Sequence, residues 1–143
     1  MSEQNKALMN RFVEEVINQK NLDAADELVA EDFVELDPFP GQEQGREGLK
    51  QVLAAFFAGF PALDWVIEEQ IAEGDKVVSR FRWHGTHEGE FLGIPATGRQ
   101  ITVKGVVIDR VVDGKEAESR ILMDTLGMMQ QLGVVPAPEQ VKA

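Results

Sequence analysis

The chain has 143 residues, no cysteine, and a net charge of −11 from 25 acidic and 14 basic residues. Its length fits one domain, residues 1–143, large enough to bury a core. The acidic balance argues against nucleic acid and anionic membrane surfaces as partners. The lack of cysteine removes disulfides, thiolate nucleophiles and Cys-based metal sites.

From the N-terminus, Met1 to Asn10 is polar and lacks the apolar centre of a signal peptide. No apolar run is long enough to span a bilayer, and a cytoplasmic location is expected. Leu8, Met9, Phe12, Val13, Val16 and Ile17 recur at spacings of three and four, which predicts an amphipathic helix. Asp23 caps a short second helix over 24–29. Phe33, Val34 and Leu36 form a short extended piece that runs into a loop of Pro38, Pro40 and Gly41. A third helix carries the stripe Leu49, Val52, Leu53, Phe56, Phe57 and Phe60, and Pro61 stops it.

After Pro61 the apolar period changes to two. A strand over 63–73 places Trp65, Ile67 and Ile71 on one face. The next, over 76–87, places Val77, Phe81 and Trp83 on one face and Val78, Arg80, Arg82 and His84 on the other. A loop with Gly89, Gly93, Pro95 and Gly98 precedes a long strand over 99–112, in which Gly105 suggests a bulge or bend. A turn at Asp113-Gly114 leads into a last strand over 116–123. The core is expected over about 5–134, with a loose tail over 136–143. Helices first and an antiparallel meander after them make an α+β fold. The helices have only one face of a bent sheet to cover, and that arrangement leaves an apolar pocket.

Asp124, at the end of the apolar run Ile121-Leu122-Met123, is the leading candidate for chemistry. A carboxylate in apolar surroundings has a raised pKa and can serve as general acid or base. The plain alternative is that it caps the turn after it or pairs with an arginine. His87 is a second catalytic candidate, able to donate to a carbonyl or shuttle a proton; alternatively its ring ties the following loop to the backbone. His84 and His87 point to opposite strand faces, and no metal-ligand pattern accompanies them, so no metal site is expected. Arg80 is either an anion clamp or a surface group, and Asp37 is a possible second pocket carboxylate. Phe39 and Phe91, in loops, and Trp65 and Met123 are candidates for the pocket wall. No P-loop, nucleophile elbow or dinucleotide fingerprint is present. Acid–base chemistry without a cofactor is the simplest enzymatic option.

Several segments in order carry a resemblance: residues 41–48 (GQEQGREG), 60–64 (FPALD), 72–78 (AEGDKVV), 85–89 (GTHEG), 91–99 (FLGIPATGR), 113–115 (DGK), and Asp124 ahead of 130–133 (QQLG). Together they resemble the SnoaL-like polyketide cyclase (ester cyclase) family of the nuclear-transport-factor-2-like superfamily. The resemblance implies three N-terminal helices on a strongly curved antiparallel sheet, forming a cone with an internal pocket, and a homodimer through the sheet. It also implies intramolecular aldol ring closure on a small hydrophobic carbonyl compound, with no metal or cofactor. The family's catalytic aspartate maps to Asp124. The family histidine on the long strand has no counterpart; Arg110 or a neighbour stands there. A tryptophan often found before the aspartate is replaced by Ser119-Arg120. Further readings stay open: a non-catalytic module that binds a hydrophobic molecule, a dimerisation domain with a vestigial pocket, an isomerase, and an epoxide hydrolase whose water is held between Asp124 and a pair such as Arg80 and Asp37.

Overall fold

Helices occupy the first third of the chain because apolar residues there repeat at helical spacing. The computed structural model describes residues 2–136, and all but the first residue of the expected loose tail lies outside them. The first helix, α1 (Ser2–Arg11), runs on as a π-helical segment, Phe12–Asn18. The wider turn leaves Phe12, Val16 and Ile17 buried. A 3₁₀ turn leads into α2 (Ala25–Leu28), and α3 (Gly45–Gly59) follows the proline loop. A fourth helix, α4 (Thr125–Leu132), follows the last strand. Its eight residues are too few for a periodic signal, and its start is set by an N-cap instead.

The five-stranded sheet has the order β1-β5-β4-β3-β2. Strands β2 (Asp64–Glu73), β3 (Lys76–Thr86), β4 (Gln100–Val112) and β5 (Lys115–Met123) form the antiparallel meander. The edge strand β1 (Val29–Glu35) pairs parallel to β5, so the sheet is mixed rather than wholly antiparallel. The helices cover one face of this curved sheet, and between them lies a core that includes Phe33, Phe56, Phe60, Phe81 and Trp83. The Asp113-Gly114 turn has positive φ at both residues, 52° and 75°, the backbone that a two-residue hairpin requires.

Two strand irregularities change which side chains face inward. In β2 the register shifts between Ile67 and Glu69, so Ile71 leaves the Trp65 face and is 62% exposed. In β5 the register shifts opposite Arg110 and Val111, which turns both Glu116 and Ser119 toward the helices. Gly105 is not a bulge, since its pairing with Phe81 and Met123 is unbroken. A Cβ there would stand 2.5 Å from the Phe81 ring, so the residue is glycine to let that ring pack across β4.

Candidate active site: a buried acid pair in an apolar chamber

Inward positions on β4 are Ile101, Val103, Val107 and Val111, with Asp109 among them. Asp109 pairs in register with Ser119 of β5, and Ser119 pairs in turn with Glu35 of β1. Three polar side chains therefore stand in a row across three strands, and the β5 bulge adds Glu116 beside them. Asp109 is 1% exposed and Glu116 is 4% exposed. Neither oxygen of Asp109, nor Oε1 of Glu116, has a protein hydrogen-bond partner in good geometry.

These groups line a chamber between the sheet and the helices whose space open to the centres of water molecules is about 80 Å³. That is room for several waters or a compact ligand, since one water needs about 10–15 Å³. The rest of the wall is mainly apolar and includes Phe12, Phe33, Phe56 and Trp65. Among the described residues no lysine, arginine or histidine lines it. Burial therefore goes uncompensated by any cation. It pushes Asp109 up to about 6 from the ordinary 3.8, with hydrogen bonding by the Glu116 carboxyl and the Ser119 hydroxyl, both in loose geometry, partly opposing the rise. Glu116 is raised well above the usual range, first by burial and then by the neighbouring Asp109 charge. Glu35 is also raised by burial, while the Asp37 backbone N–H, donating to its carboxylate at 2.9 Å, pulls the other way. Two adjacent buried acids cannot both ionise cheaply, so the pair retains a proton at neutral pH. Burial lifts Glu116 further than Asp109, so Asp109 is the readier of the two to ionise and Glu116 the readier to hold the shared proton.

Asp124 is not in this chamber. It is exposed, and its Oδ1 accepts from the Gly127 backbone N–H at 2.9 Å as the N-cap of α4. The apolar run before it is amphipathic in place: Leu122 faces out at 65% exposure, while Ile121 and Met123 face the chamber. The expectation of a dry environment for Asp124 is therefore corrected: the in-out alternation of Ile121, Leu122 and Met123 carries Asp124 outward, and the α4 cap holds it there. His87 is buried but lies off the chamber wall. The Thr97 backbone N–H donates to its Nδ1 at 3.2 Å, the Thr97 hydroxyl stands 2.9 Å from the same nitrogen, and its ring stacks on Phe60. That arrangement ties the 88–98 loop to the sheet.

Arg80 is also outside, bound to Glu68 at 3.0 Å and Glu69 at 3.2 Å on the opposite face of the sheet. Asp37 lies near Arg120, at 3.9 Å, on an outer groove beside the chamber. Arg80 and Asp124 share a different outer groove, so the Asp124–Arg80–Asp37 arrangement is not assembled in one place. Phe39, Trp65 and Met123 are in the chamber wall. Phe39 and Met123 also border the outer groove and so stand where the chamber meets the surface. Phe91 packs on Phe56 and Phe60 and borders only a shallow cleft. Among the described residues no group of three His, Asp or Glu side chains is arranged to hold a metal ion, and no helix is long and apolar enough to cross a membrane.

The pattern of the SnoaL-like polyketide cyclase family matches residues 7–132. The chain belongs to that family. The nogalonic acid methyl ester cyclase of Streptomyces nogalater is 30% identical over 120 residues, covering 81% of this chain and 88% of that protein. The aklanonic acid methyl ester cyclase DnrD of Streptomyces peucetius is 39% identical over 67 residues, and the match spans 46% of each chain. Among solved structures, TsrD of Streptomyces laurentii superimposes with a TM-score of 0.86 at 29% identity, covering 94% of this chain and 98% of TsrD. Membership accounts for the helices-on-sheet architecture, while the Asp109–Glu116 pair is read from this chain's own geometry. Neither acid was singled out from the sequence: the in-out alternation of β4 is the signal that could have found Asp109, and nothing local marks Glu116.

Proposed function

We propose that the protein is a cyclase-like acid–base enzyme that acts, without a cofactor, on a small hydrophobic carbonyl compound inside this chamber. The observation that carries the reading is a pair of buried carboxyls, unmatched by any cation, in an otherwise apolar wall. Such pairs divide acid and base roles between two environments. Asp109, ionised at neutral pH, takes a proton from the carbon next to the substrate carbonyl. The C–H electron pair becomes an enolate, and neutral Glu116 donates a hydrogen bond to the enolate oxygen. The enolate carbon then bonds to a second carbonyl carbon of the same molecule. The resulting alkoxide recovers the proton from Asp109, so the ring closes with no net change in charge. The names of the relatives support ring closure of a methyl ester as the reaction type.

The test uses methyl isobutyl ketone in heavy water, with exchange of its α-hydrogens followed by NMR. Positioned acid–base groups contribute about 10²–10⁴-fold. The wild type and Asp124→Asn are expected to accelerate exchange over buffer, and Asp109→Asn to lose about 10²-fold or more. Loss in Asp124→Asn with retention in Asp109→Asn would move the base to Asp124. No acceleration by the wild type would remove the enzymatic reading.

We also propose a homodimer through the outer face of the sheet. Val106 and Leu122 are cross-strand neighbours there, Ile108 lies beside them, and all three are exposed. A small apolar patch on a sheet face, rimmed by charged side chains such as Arg80, Lys104 and Arg120, suits a second copy of the same chain.

A further inference from the structure

The chamber has an uneven inventory of polar groups. Among the described residues every titratable side chain facing it is an acid: Glu35 from β1, Asp109 from β4 and Glu116 from β5. Strands β2 and β3 contribute Trp65, Ile67 and Ser79, the helices contribute only apolar side chains, and the proline loop adds Gln42. Both Asp109 oxygens and Oε1 of Glu116 lack a protein donor in good geometry, and among the described residues the only groups near enough to share a proton with Asp109 are Glu116 and the Ser119 hydroxyl. The fold has thus already taken a carboxylate out of water and left it without a counter-charge.

We propose that the chamber is a binding site for a hydrophobic ammonium ion, a compact apolar body bearing one primary amine whose nitrogen bridges Asp109 and Glu116. The proposal rests on the chamber as the ligand site, but not on its catalytic use. An ammonium group brings three N–H donors, enough for the three unpartnered oxygens. Removing one partner of a buried ion pair is strongly unfavourable because a bare charge remains, and supplying the partner reverses that penalty. The ligand loses only its own hydration, since Asp109 lost its water on folding. Aromatic walls at Phe12, Phe33, Phe56 and Trp65 accept both the apolar body and, through their ring faces, the cation. The same inventory rejects a carboxylate, phosphate or sulfate, which meets three acids and no cation.

The test compares isopentylamine, isopentanol and isovalerate, which share one carbon skeleton as cation, neutral and anion. Binding is read from amide chemical shifts of Val107, Ser119 and Ile121 at pH 7.5, in 0.3 M salt so that the overall negative charge of the protein does not gather amines at its surface. Isopentylamine is expected to bind at least tenfold more tightly than isopentanol, with no shifts from isovalerate. Asp109→Asn is expected to abolish the tenfold preference and leave isopentanol binding within about threefold. Should that variant not fold, the wild type decides alone: lowering the pH from 7.5 to 5 protonates Asp109 and should weaken the amine at least fivefold while sparing the alcohol. An alcohol that binds as well as the amine, or a preference that survives in Asp109→Asn, overturns the proposal and leaves the acid–base reading standing. Absence of chamber shifts from all three compounds overturns the ligand site and the acid–base reading together.

Discussion

Replacing Asp109 by asparagine should change how stability depends on pH, because the buried carboxyl has no partner to keep it ionised. Its pKa stands at about 6 in the folded protein against an ordinary 3.8. At about 1.4 kcal/mol per pH unit, the difference is worth about 3 kcal/mol. The folded state holds the proton more tightly than the unfolded chain. The benefit is therefore fully present below pH 3.8 and is lost as pH rises through about 6. Roughly 2 kcal/mol of that loss falls between pH 4 and pH 6.5. Asp109→Asn carries no such titration, so its stability relative to wild type should rise by about that amount across the window, whatever constant offset the amide introduces. Glu116 is raised well above the usual carboxylate range first by burial, a cause that persists in the variant. Urea unfolding at half-unit pH steps measures the difference curve, in which surface acids common to both proteins cancel. A flat difference curve, or one in which wild type gains on the variant as pH rises, would refute the burial argument.

Other expectations follow from single contacts. Asp124→Ala removes the α4 cap and should cost about 1 kcal/mol in urea unfolding, whereas Asp124→Asn, which keeps a capping oxygen, should stay within about 0.5 kcal/mol of wild type. Gly105→Ala drives a methyl into the Phe81 ring and the Leu122 carbonyl, each 2.5 Å away. It should destabilise by about 2–3 kcal/mol, seen as a lowered melting midpoint. Leu122→Glu, on the outer face, should leave the fold intact and convert the proposed dimer to monomer in sedimentation experiments. Phe39→Ala opens the wall between chamber and outer groove, and should strengthen binding of ketones longer than methyl isobutyl ketone at least threefold in NMR titration.

The architecture was legible because it rests on local repetition. Apolar spacing of three and four placed α1 and α3, alternation placed β2 to β5, and glycine with a preceding aspartate placed the β4–β5 turn. The candidate site was less so. Asp109 is the one charged residue in the inward series Ile101, Val103, Val107 and Val111, a weaker local signal than the unbroken apolar run before Asp124. Glu116 faces inward only because β5 carries an extra residue, and Ile71 faces outward because β2 does too. A bulge is a property of two paired strands, so alternation within one of them cannot reveal it.

By itself, the amino-acid order determined the helices, the meander, and a cavity walled by apolar side chains, since each depends on residues near one another in the chain. Which carboxyls entered that cavity was decided only by tertiary structure. Pairing of β1, β5 and β4 brought Glu35, Ser119 and Asp109 into one row, and the α4 N-terminus held Asp124 at the surface. Burial, and with it the shift in proton affinity, depends on what the rest of the molecule stacks above a side chain. Distances along the sequence carry no record of that.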